Sequence, residues 1–177
     1  MIEAPRRRRY IPAVRIRPVE PGDSDGLRAF YAGLSPESRY RRLMSMGARI
    51  GEGDARRFCC ADHTDREGFV AIVDAAPDGP TIVGHMCLEP AGPGAVEMAV
   101  AVADRFQGRG IGKTLTAAAL DWAERHGIAR LRASMLVDNA GMIRLVQSLH
   151  RPVTFSPPVE GVVEAIVQVP AGPARAA

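Results

Sequence analysis

The chain has 177 residues, 46% hydrophobic and 24% charged, with a formal net charge of +3. That is enough chain to bury a core in one domain, and too much apolar content for a wholly disordered polymer. No run reaches transmembrane length and the basic start lacks the apolar stretch of a signal peptide, so a cytoplasmic protein without membrane contact is expected. The small charge, much of it in Arg6-Arg7-Arg8-Arg9, argues against nucleic acid as a main partner. Cys59, Cys60 and Cys87 form neither a disulfide framework nor a zinc pattern, and His63, His85, His126 and His150 lack ligand spacing, so no metal is expected.

Residues 1–12 read as a basic N-terminal tail, 13–170 as a single domain and 171–177 as a loose C-terminal tail. Val14-Arg15-Ile16-Arg17-Pro18-Val19 alternates as a half-buried edge strand does. Pro21-Gly22-Asp23-Ser24 turns into a helix carrying Leu27, Phe30, Tyr31 and Leu34 on one face. Ser35-Pro36 starts a second helix running to about Met46, with Arg39, Arg41 and Arg42 expected outside. A short helical piece is expected over 54–60. Strands follow at 69–73 and 81–88, joined by a turn at Asp78-Gly79-Pro80. A turn over 90–94 leads to a third strand, 95–103. A helix over 111–125 ends at Gly127, and the strand 130–137 completes a βαβ unit, so the strands at 95–103 and 130–137 should be parallel. Asp138-Asn139-Ala140 caps a helix over 141–149. Phe155 and 162–169 supply the last strands.

The stretch Asp104-Arg105-Phe106-Gln107-Gly108-Arg109-Gly110-Ile111-Gly112-Lys113-Thr114 organises the rest. It lies between a strand and a helix, and its glycines leave backbone N–H groups bare at a helix N-terminus, an anion site. Arg109 and Lys113, the only lysine of the chain, add positive charge. Counting excludes a Walker A loop, whose first glycine would fall on Gln107. It also excludes a dinucleotide fingerprint, whose last glycine would fall on Lys113.

Gln107-Gly108-Arg109-Gly110-Ile111-Gly112 resembles the Q/R-x-x-G-x-G/A pyrophosphate loop of the GNAT N-acetyltransferase superfamily. The element order resembles that fold too, over about residues 14–169. Leu34-Ser35-Pro36-Glu37-Ser38-Arg39-Tyr40 is similar to the GNAT domains of bacterial protein lysine acetyltransferases. The resemblance implies a mixed α/β fold with a mostly antiparallel twisted sheet of about six to seven strands, about four helices and one βαβ crossover.

It also implies acetyl-coenzyme A as cofactor. The pyrophosphate would lie on Gln107, Gly108, Arg109, Gly110, Ile111, Gly112, Lys113 and Thr114, the pantetheine arm along Met98, Val100 and Val102, and Asn139 would make a further contact. Glu97 matches the glutamate to which such enzymes assign the general base. The tyrosine that many members carry after the asparagine cap falls on Val146 here, and His150-Arg151 stands where Gly-Phe is usual. The implied activity is acetyl transfer to a primary amine, either a protein lysine or a small molecule. A non-catalytic acyl-coenzyme A sensor is the other reading, and monomer or homodimer stays open. Two expectations concern geometry. Ala95, Glu97, Ala99, Ala101 and Ala103 form a lightly filled strand face that the crossover helix could cover, and a symmetric turn would bring Cys87 near Glu97.

Overall fold

The computed structural model describes residues 13–74 and 79–170. The two tails and Asp78 of the first turn lie outside the described residues. In chain order the elements are β1 (Val14–Pro18), α1 (Ser24–Ala32), α2 (Pro36–Leu43), α3 (Glu52–Cys59), β2 (Glu67–Val73), β3 (Thr81–Pro90), β4 (Ala95–Val102), α4 (Ile111–Arg125), β5 (Arg130–Leu136), α5 (Ala140–Gln147), β6 (Val153–Phe155) and β7 (Val162–Gln168). One seven-stranded sheet runs β1-β2-β3-β4-β5-β7-β6. Every neighbouring pair is antiparallel except β4 and β5, which α4 joins as a parallel crossover. The expected topology is therefore present, with α3 as a fifth helix.

Two apolar cores sandwich the sheet. On one face Ile111, Leu115, Ala119 and Trp122 of α4 pack against Val96 and Met98 of β4 and Leu131, Ala133 and Met135 of β5. These four α4 positions follow helical spacing, so one side of the helix is apolar. Gly84 on β3 lets α4 approach: a Cβ there would stand 3.1 Å from Leu115 and 3.3 Å from Ile111. On the other face Leu27, Phe30, Tyr31, Leu34 and Cys59 close over Val70, Ile72 and Ile82. Trp122 is 2% exposed. Trp122→Ala should lower unfolding stability by about 3–5 kcal/mol through the cavity it leaves, which urea titration of the variant would measure.

Three expectations are corrected here. The crossover helix covers the bulky face of β4, not the alanine face; Ala101 packs into the core beneath α1 and α3 instead. Large side chains on β4 must meet an apolar helix, and α4 supplies it. Helix α2 ends at Leu43 because Met44 turns left-handed, with φ of 49°. Its arginines are not wholly outside: Arg39 and Arg42 each bury their Nε. Finally, the β3–β4 register pairs Cys87 with Ala99 and Glu89 with Glu97, so the turn is two residues off the symmetric guess.

Candidate active site

The glycine-rich turn is built by backbone conformation. Gly108 has φ of 71° and Gly110 of 87°, where a side chain is strained, and a Cβ at either would meet open space. Gly110 is the N-cap of α4, and the first helical bond runs from Thr114 N–H to Gly110 O. The N–H groups of Ile111, Gly112 and Lys113 precede that bond and have no acceptor within the helix.

Side chains from a distant part of the chain hold the turn. Asp104 accepts from the Ser35 N–H at 3.0 Å, the Ser35 hydroxyl at 2.7 Å and the Ser38 hydroxyl at 2.7 Å. Burial alone would raise the Asp104 carboxyl, but these hydrogen bonds outweigh it and hold the group below its ordinary value. Gln107 donates to Ser38 Oγ at 3.1 Å and to Val102 O at 3.0 Å. The start of α2, the turn and the end of β4 are thus one hydrogen-bonded unit. Sequence reading missed Ser35, Ser38 and Asp104 as turn anchors, because contacts spanning 66 and 69 residues leave no local signal.

Beside this unit the sheet opens. β4 and β5 pair only through Ala95–Arg130, Val96–Leu131 and Glu97–Arg132. From Met98 to Val102, β4 has no strand partner on that side among the described residues. The gap widens into a cavity of about 650 Å³. Its walls include Val100, Ala101 and Val102 of β4, Gln107 to Lys113 without Arg109, Asn139 and Leu145 at α5, and Arg42 of α2. Four cationic residues, Arg41, Arg42, Lys113 and Arg144, line it against two acidic ones, Glu37 and Asp104. Bare amides, positive-φ glycines and excess cation suit a diphosphate.

The expected site residues divide. Val100, Val102, Gln107, Gly108, Gly110, Ile111, Gly112, Lys113 and Asn139 come together around the cavity. The Asn139 side chain also caps α5, accepting from Met142 N–H at 3.1 Å. Met98 buries its side chain beneath α4. Arg109 and Thr114 turn into a separate groove of about 300 Å³, where the Arg109 guanidinium lies 5.5 Å over the Phe106 ring. At most their backbone faces a cavity ligand. Val146, where a family tyrosine was sought, is fully buried in the core, and Leu145 faces the cavity instead.

Glu97 stands at the fork where β4 and β5 part. Three carboxylates crowd its face of the sheet. Glu89, directly opposite, is taken by Arg57 at 3.0 Å and Arg66 at 2.8 Å. Glu164 is taken by Arg132. No ion pair reaches Glu97 among the described residues, and its side chain is half-buried.

Below the alanine face lies a polar cluster. His85 is fully buried, and its Nδ1 shares a 2.9 Å hydrogen bond with the Tyr31 hydroxyl. Burial, reinforced by Arg42, pushes the imidazole down to about 3. Burial also raises Tyr31 to about 12. The unfolded chain protonates this histidine at about 6.5, whereas the native one resists until about 3. Stability is therefore full above the upper value and falls as pH drops through that window, by at most about 1.4 kcal/mol per unit. Denaturant titrations at pH 7.5 and 5 should show this slope in the wild type and a flatter one in His85→Gln. An unchanged slope would assign the effect to other groups.

The description "Acetyltransferase (GNAT) family" matches residues 28–150. Acetyltransferase Pat of Mycolicibacterium smegmatis is 30% identical over 135 residues, which is 76% of this chain. The chain spans about 40% of that relative's length. The solved GNAT domain of S. lividans PAT superposes with a TM-score of 0.77 at 28% identity, covering 88% of this chain and 90% of that one. An acetyltransferase from Salmonella typhimurium, solved with acetyl-CoA, shares the fold at 20% identity and a TM-score of 0.66, covering 93% of this chain and 97% of that one. The family match covers most of the chain and includes the turn, the fork and α5, so the protein belongs to the GNAT acetyltransferase family, whose acyl donor is acetyl-coenzyme A.

Proposed function

We propose that this acetyltransferase acylates the side-chain amine of a lysine on another protein, with Glu97 as general base. The observation that carries the base assignment is the freedom of Glu97. Among the described residues it is the carboxylate of these three with no arginine within ion-pair distance, although Arg132 stands opposite it in register, and it sits at the fork. The lysine preference is supported by the Leu34–Tyr40 phrase and by similarity to the S. lividans domain.

Bound acetyl-coenzyme A supplies an activated acetyl carbon and a thiol leaving group. The amides of Ile111, Gly112 and Lys113 hold its diphosphate, with the Lys113 ammonium alongside. Gln107 braces the turn, and Asn139 borders the channel. The unpaired edge of β4 between Met98 and Val102 offers backbone hydrogen bonds to an extended arm, and an N–H there serves as donor to the carbonyl oxygen. Val100 and Val102 line that path. A lysine ammonium has an ordinary pKa of about 10.4, so about one molecule in a thousand is nucleophilic at neutral pH. Glu97 removes that proton, and the neutral amine can then attack. No side-chain acid is assigned to the departing thiol, because alkyl thiols are more acidic than alkylammonium groups. Asn139, Gly110 and the rest of the turn take no part in proton transfer.

The test is acceptor identity. Mass spectrometry after incubation with acetyl-coenzyme A should find acetylated lysines on protein acceptors. Turnover of polyamines or aminoglycosides alone would overturn the lysine reading.

A further inference from the structure

Helix α2 presents three arginines with different fates. Arg41 pairs with Glu37 at 2.8 Å. Arg39 donates to the Leu34 carbonyl at 2.9 Å. Arg42 has neither: among the described residues no carboxylate lies within ion-pair distance of it, and its Nε is buried without a partner. Its Nη2 donates to Cys87 Sγ at 3.0 Å. The guanidinium is held in place by the rings of Tyr31 and Phe58, each 5.9 Å from its centre. It also lines the cavity.

The two rings and the Cys87 sulfur support this cation, but no carboxylate among the described residues neutralises it. Its position suggests what does. Cys87 lies opposite Ala99 on β4, and Glu97 is the next residue along the same face. Diagonal neighbours on such a face are about 7–8 Å apart. Cys87, which holds the guanidinium, therefore stands one diagonal step from the carboxylate proposed to take the proton of the acceptor amine.

We propose that Arg42 binds a carboxylate carried by the acceptor close to its reacting amine. On the function proposed above, that carboxylate is an aspartate or glutamate side chain beside the target lysine. The planar guanidinium can grip it through two parallel N–H bonds, a geometry that lysine could not reproduce. Arg42 is then a specificity residue, separate from the base and from the diphosphate turn.

Two peptides test this, identical except for aspartate or asparagine next to a single lysine. Wild type should favour the aspartate peptide in kcat/KM by about tenfold or more, the usual worth of a hydrogen bond to a charged group. Arg42→Gln should lose that preference, mainly through KM for the aspartate peptide. Because Arg42 also lines the cavity, the readout is the ratio of the two peptides, whatever the absolute rate of the variant. Coenzyme A binding and the melting temperature are followed in parallel to show that the variant is folded. If Arg42→Gln does not fold, the wild-type ratio still decides. Equal turnover of the two peptides by wild type would overturn the inference and leave acetyl transfer standing. So would an unchanged ratio in a folded Arg42→Gln. If no peptide reacts but free lysine is favoured over cadaverine, Arg42 keeps its role and the protein-acceptor reading falls. Absence of turnover on any amine would sink both.

Discussion

Glu97→Gln should lower kcat/KM at neutral pH by about 10²–10⁴-fold, the usual contribution of a positioned general base. The exchange keeps the shape of the side chain and removes its ability to take a proton. Glu97 makes no ion pair among the described residues, so little else is broken by the change. The deficit should shrink as pH rises towards about 10, because there the amine loses its proton to solvent. Coenzyme A affinity should stay as in wild type, since the diphosphate turn is untouched. Initial rates from pH 6 to 10, with binding measured by calorimetry, check all three statements. A variant as fast as wild type at every pH would remove Glu97 as base. A wild type inert towards every amine would point to an acyl-coenzyme A sensor.

Gly110→Val is the second large effect. Gly110 caps α4 with φ of 87°, and a Cβ there would meet no protein atom within 4 Å. The protein itself has room for the side chain. The penalty is conformational, about 1–2 kcal/mol for a left-handed residue and more for a β-branched one. The turn must therefore bend away or carry strain, and the added methyls enter the space proposed for the diphosphate. We expect coenzyme A binding to weaken by about a hundredfold or more, which is about 2.7 kcal/mol. The unliganded protein should melt only a few degrees lower. Gly53→Ala in α3, where a Cβ also meets open space and φ is ordinary, is the matched control. It should leave binding unchanged and raise stability by about 0.5–1 kcal/mol. Calorimetry and thermal melts with and without coenzyme A separate the outcomes. Retained affinity in Gly110→Val would place the diphosphate elsewhere.

Local chemistry was legible where a signal fits within one element. Ser35 does cap α2, its hydroxyl accepting from the Ser38 N–H, and Asn139 caps α5. The positive-φ glycines of the turn and the apolar stripe of α4 were readable for the same reason. Predictions failed where they needed a second element. The partner of the β4 alanine face, the residue opposite Glu97 and the neighbours of Arg42 all depend on register or on helices distant in sequence. Arg109 shows the limit within the turn itself: its backbone sits where expected, but the Phe106 ring draws its side chain into the other groove.

The sequence by itself determined the strand–turn–helix unit, the crossover and the family, because glycine placement, caps and periodicity act over a few residues. Only the tertiary structure decided that β4 and β5 separate after Glu97, that Asp104 ties the turn to α2, and that among the described residues arginines form ion pairs with Glu89 and Glu164 but not with Glu97. Those features come from groups up to 69 residues apart meeting in space. No local propensity encodes such a meeting; the packing of two cores on one sheet does.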